Sequence, residues 1–241
     1  MAKVVGLVLL LLLSGAVTAQ RRNQAEKQQI MDAVGNESVT GTVQTFDERY
    51  EGVKGSPFLL EQWTPGMVFM HNGKVFDRLQ VKYNLYLDEI AVKRPDGAEV
   101  VPDKNAVRSF TLDSTSTGQL RRFIRVNYLT NHHLFPPHHF VEVLYEGESM
   151  LLATHDKKLI RADYQKAYSA GRPYDMFGET MTKYYWIAPD GQVNVLKPGR
   201  KAVAKLFSDK KNSIDTFVKE NAIDLKSRQG LVQVVRHYDQ H

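Results

Sequence analysis

Leu79-Gln80-Val81-Lys82-Tyr83-Asn84-Leu85-Tyr86-Leu87 sets an apolar or aromatic side chain at every odd position against a more polar partner at almost every even one. A period of two sends alternate side chains to opposite faces, so this stretch is predicted to be a strand with one buried face. Working outward, Asn72-Gly73 separates the apolar runs 67–70 and 74–76, and Asn-Gly accepts the positive φ that a tight hairpin turn requires. Pro95-Asp96-Gly97 supplies a second turn, and Pro189-Asp190-Gly191 repeats the chemistry between 184–187 and 193–196. Further strands are expected at 107–112, 122–128, 140–145, 150–153 and 159–162. After Pro198-Gly199 the period lengthens. Ala202, Val203, Leu206 and Phe207 form one helical face, Ile214, Phe217 and Val218 a second, and Leu231, Val232, Val235 and Tyr238 a third. Ser208 is placed to cap the second helix and Ser227 the third. The fold expected is α+β: a curled, mainly antiparallel β-sheet of roughly ten strands over 42–196, then a short C-terminal helical cap over 197–241.

At the other end, Lys3 precedes an apolar run from Val4 to Leu13, followed by small residues with Val17 and Ala19 where a signal peptidase reads. The run rises about 15 Å as a helix, half the thickness of a hydrocarbon core, so it reads as a secretory signal over 1–19 with Gln20 as the mature N-terminus. Residues 20–41 are polar, with Arg21, Arg22 and Lys27 around a short apolar set at Ile30, Met31 and Val34, and read as a linker or a loose helix. The 241 residues contain no cysteine, which excludes disulfides, thiolate metal sites and thiol nucleophiles. An exported chain without disulfides points to a bacterial periplasm or outer-membrane association. The net charge of +5, from 32 basic and 27 acidic residues, is too mild to announce nucleic acid.

Several segments carry a family likeness: GSPFL at 55–59, WTPGMVFMHNGKVFDRLQVKYNLYLDEIAVK at 63–93, FVEVLYEGESMLL at 140–152 and KAVAKLFSDKKNSIDTFVKENAIDL at 201–225. Their order and spacing resemble a family of uncharacterised exported proteins from Bacteroidetes. The resemblance implies an envelope location and no particular chemistry.

The densest chemical feature is NHHLFPPHHF at 131–140, where His132, His133, His138 and His139 flank Pro136-Pro137. Imidazoles bind zinc, copper or nickel, and two flanking pairs could offer nitrogens to one ion. Adjacent residues of an extended chain point to opposite faces, however, and no carboxylate joins them, so the plainer reading is a loop between strands. No GxSxG elbow frames Ser56 or Ser169, and no phosphate-binding glycine loop occurs. Asp88-Glu89 read as solvated charge at a strand edge. Tyr164, Tyr168, Tyr174, Tyr184, Tyr185 and Trp186 form an aromatic segment able to line a groove or to pin a loop to the sheet. Lys197, Arg200, Lys201, Lys205, Lys210 and Lys211 read as a solvated helix face that anionic head groups would attract. The function expected is therefore non-catalytic: an exported envelope protein, without a cofactor, that binds a ligand or partner through the sheet or the aromatic segment. A metal-assisted hydrolase built on the histidine loop is the alternative.

Overall fold

The period-two stretch is carried by β2 (Val75–Asn84), with Leu79, Val81 and Tyr83 buried on one face and Gln80 exposed on the other. The strand ends before its pattern does. Asn84 Oδ1 accepts the N–H groups of Tyr86 and Leu87 at 3.0 and 3.1 Å, and Asp88 takes a φ of 53°, so Leu85 and Leu87 belong to a turn built by a side chain. β1 (Thr64–Met70) meets β2 across Asn72-Gly73, where Gly73 has a φ of 86° and Lys74 N–H donates to Asn72 Oδ1 at 3.0 Å. The structure, a computed structural model, describes residues 50–93, 99–114, 119–129, 135, 140–163 and 173–240. The expected signal and linker segments and the Pro95-Asp96-Gly97 turn lie outside these residues.

β3 (Glu89–Lys93) and β4 (Glu99–Val100) continue beyond β2, and the chain then returns to the other side of β1 with β5 (Val107–Ser114). β6 (Gln119–Arg125), β7 (Phe140–Glu146), β8 (Met150–Asp156), β11 (Met181–Ile187) and β12 (Val193–Leu196) complete a ten-stranded sheet of order β12-β11-β8-β7-β6-β5-β1-β2-β3-β4, antiparallel throughout and open at its two edges. β9 (Leu159–Ile160) and β10 (Met176–Phe177) form a separate pair. Residues 126–128, expected to extend β6, turn instead into one 3-10 turn.

Curling is visible in one ring. Tyr83 on β2 lies 5.1, 5.4 and 5.9 Å from the ring centroids of Phe110, Phe123 and Phe140 on β5, β6 and β7, strands that a flat sheet would hold well away from it. Bulges in β1 and β7 supply the bend. The register lays Val68, Phe110, Phe123, Glu142, Ala153, Tyr184 and Leu196 in one row across the inner face. The row begins in an aromatic core and ends under the helices. α1 (Arg200–Leu206), α2 (Lys211–Glu220) and α3 (Arg228–Gln240) bury Val203, Phe207, Ile214, Leu231, Val234 and Val235 against Leu151, Trp186 and Leu196 of the sheet. Ser227 Oγ accepts Gly230 N–H at 3.0 Å, the cap expected of it, whereas Ser208 opens a 3-10 turn, Ser208–Lys210, that intervenes before α2. Ile124, Val141, Leu152 and Tyr185 occupy the outer face, packed with Val126, Leu129 and Phe135. No helix among the described residues is long and apolar enough to cross a membrane.

Gly66 in β1 shows how tightly the curl is drawn. A Cβ built there would stand 2.1 Å from the carbonyl oxygen of Thr111 on β5, a backbone atom that cannot swing away. Gly66→Ala should therefore lower stability by about 1–3 kcal/mol through forced backbone displacement. Urea denaturation checks this, and a midpoint equal to wild type would show that the two strands can separate at no cost.

Candidate functional site

Glu142 is a charge where the pattern asks for an apolar residue. Its neighbours in the row are Phe123 and Ala153, it is 0% exposed, and its carboxylate survives there by being enclosed in donors. Arg121 on β6 grips it with both arms of its fork, Nε to Oε1 at 2.7 Å and Nη2 to Oε2 at 2.8 Å. His155 on β8 brings Nε2 to within 2.7 Å of Oε2, while its Nδ1 lies 3.0 Å from Thr182 Oγ1 on β11, the residue opposite it in the ladder. Arg228, the first residue of α3, reaches from the helical layer and donates from Nη2 to Oε1 at 2.6 Å. Three strands and one helix thus converge on one carboxyl group.

Burial alone would raise the Glu142 pKa, but the hydrogen bonds from Arg121 and His155 and the charges behind them win and hold it at about 2. Tyr184 stands at the rim, within electrostatic reach of Arg228, Glu142 and Arg121, and burial pushes its phenol above the usual range, which keeps it a neutral donor. The arrangement can hold and orient negative charge.

A second polar group ties the curled end of the sheet together. The Tyr83 hydroxyl donates to Asp88 Oδ1 at 2.8 Å, Phe140 N–H donates to the same oxygen at 3.2 Å, and the Arg125 guanidinium lies 4.0 Å from Asp88 and 4.0 Å from the Phe140 ring centroid. Asp88, read from the sequence as solvated edge charge, is instead the tie between a turn and β7. Burial first, then Asp88, pushes the Tyr83 phenol well above its ordinary range. Elsewhere a cavity of about 500 Å³ is lined by Tyr50, Ser56, Phe58, Glu61 and Lys82, its wall fixed by Lys157 Nζ donating to the carbonyls of Ser56 and Phe58 at 2.7 and 2.9 Å. Ser56 Oγ accepts Phe58 N–H at 3.2 Å, a turn contact rather than the setting of a nucleophile.

The aromatic segment is spread over several surroundings. Tyr184 and Trp186 share the inner face, but Trp186 is buried beneath the helices, 4.9 Å from Phe207 and 5.2 Å from Tyr238 by ring centroid. Tyr185 points to the outer face, 4.6 Å from Phe135. Tyr174 lies under the Lys54 ammonium at 3.7 Å. Tyr164, Tyr168, His132, His133, His138 and His139 lie outside the described residues. Lys197, Arg200, Lys201, Lys205 and Lys211 are exposed, while Lys210 donates to the Tyr238 carbonyl at 2.8 Å. Among the described aromatic candidates, Tyr184 is the one that meets the charged cluster; Arg121, Glu142, His155 and Arg228 carried no local motif. Comparison with protein-family models, curated proteins and solved structures gave no match.

Proposed function

We propose that the chain is a non-catalytic exported envelope protein that holds a ligand or partner on the inner face of its sheet, where Arg121, Glu142, His155 and Arg228 meet under the edge of the helical layer. The observation that carries this reading is the enclosed carboxylate, spent on two guanidinium groups and an imidazole, with Tyr184 and Thr182 at the rim. Acid–base catalysis needs a group that exchanges its proton near the working pH. A carboxylate held at about 2, a phenol raised by burial and two arginines do not, and both ring nitrogens of His155 are already engaged, with Glu142 and Thr182, whereas such a fixed set of donors suits binding. Export rests on the Lys3 and Val4-to-Leu13 pattern and fits the absence of cysteine.

The test has two parts. Protein recovered from the envelope fraction of expressing cells should begin at Gln20 by mass spectrometry. A thermal-shift screen of small molecules against that material should then find at least one that stabilises wild type, by about 2.7 kcal/mol at a hundredfold excess over Kd, and that does nothing for an Arg228→Ala, Tyr184→Ala variant. An intact Met1 in the cytoplasmic fraction, or stabilisation that the double variant keeps in full, would overturn the reading.

A further inference from the structure

Resting on that binding reading, we infer that the ligand is an organic carboxylate, taken by unspent N–H groups of Arg228 and Arg121 together with the Tyr184 hydroxyl. A guanidinium carries five N–H donors. Arg121 commits its Nε and Nη2 to Glu142, and Nη2 also passes 3.5 Å from His155 Nε2. Arg228 commits only Nη2 to a hydrogen bond among the described residues, which leaves its Nε and the whole of Nη1 for a guest. The Tyr184 hydroxyl makes no hydrogen bond to any described residue either, and its half-buried ring stands in the same row as Glu142, with Ala153 between them. Donors thus outnumber the acceptors that the described residues provide.

Charge selects the class. Two arginines against one carboxylate leave the site positive, so an anion is the guest that it takes. The planar fork of arginine matches the two oxygens of a carboxylate, as Arg121 on Glu142 already shows at 2.7 and 2.8 Å. Access is graded in the required sense. Glu142 is sealed at 0% exposure, Arg121 is 13% exposed and Arg228 33%, so a guest meets the arginines from outside without displacing the internal carboxylate. Thr182 is exposed at the same rim, its Oγ1 3.0 Å from His155 Nδ1.

The test is titration of acetate, succinate, inorganic phosphate and glucose into the full mature chain at constant ionic strength, following the arginine Nε–H resonances by NMR. Acetate and succinate should shift the Arg228 Nε–H signal saturably. Arg228→Gln should weaken binding about tenfold or more, and Tyr184→Phe, which keeps the ring and its packing, about fivefold. Lys211→Gln, on an exposed helix position, should change nothing. If phosphate or glucose gives a saturable response that Arg228→Gln abolishes while the carboxylates give none, the class is wrong and the binding reading stands. If no probe gives a response that either variant weakens, or if carboxylate binding is equal in wild type, Arg228→Gln and Tyr184→Phe, the inference is overturned. Should the same indifference extend to every ligand of the thermal-shift screen, the binding reading falls with it.

Discussion

Truncation after Pro198 should leave a chain that does not fold cooperatively. The removed segment buries Val203, Phe207, Ile214, Leu225, Leu231, Val234 and Val235 against Leu151, Trp186 and Leu196, which would then face water. At about 1.5–3 kcal/mol per buried apolar side chain, an upper estimate because denatured chains are partly compact, the loss rivals the whole stability of a typical domain at about 5–15 kcal/mol. The cut also withdraws Arg228 from Glu142, so the sheet loses a counter-charge together with its apolar cover. Circular dichroism should show no sigmoidal melt, and size-exclusion chromatography should show aggregate. A truncated chain melting at the wild-type temperature would make the helices an appendage that contributes nothing to the sheet.

Glu142→Gln should be the most damaging single change of near-constant volume. The amide cannot balance Arg121 and Arg228, and breaking a buried pair by removing one partner costs about 3–5 kcal/mol. In a chain of this size that lowers Tm by about 10 °C. The same carboxylate gives stability an acid limb. Its folded pKa of about 2 lies below the ordinary value of about 4.3, so the stabilisation, about 3 kcal/mol, is complete above pH 4.5 and drains away as pH falls towards 2. Urea midpoints at intervals through that window should fall steeply for wild type and much less for Glu142→Gln. Parallel curves for the two proteins would show that the carboxylate is not what acid attacks.

The architecture was legible because it rests on local periodicity. Leu79, Val81 and Tyr83 announce a one-sided strand, Asn72-Gly73 and Pro189-Asp190-Gly191 announce turns, and Val203 with Phe207 announces a helix face. Where the reading erred, a side chain competed with the backbone: Asn84 captured the N–H groups of Tyr86 and Leu87 and stopped a strand whose hydrophobic alternation ran on. The site was far less legible. Arg121, Glu142, His155 and Arg228 lie on four elements, and Arg228 is separated from Glu142 by 86 positions, so no window of sequence contains them. One signal was present. In Phe140-Val141-Glu142-Val143-Leu144 a carboxylate occupies the inward phase of an otherwise apolar stretch, and a charge in that register demands partners from elsewhere in the fold. Aromatic density is not by itself a groove: successive rings on one strand, Tyr184, Tyr185 and Trp186, must face alternate sides, so the three cannot line one surface.

An open sheet has borders, and borders invite the next molecule to add a strand. Here both are blunted. One border is β4, only the two residues Glu99–Val100 long, which offers a newcomer too short a ladder to register on. The other is β12, four residues long, after which exposed Lys197 and Pro198 follow, a charge that would have to be desolvated and a residue with no N–H to give. Short border strands of this kind disfavour further growth of the sheet in its hydrogen-bonding direction.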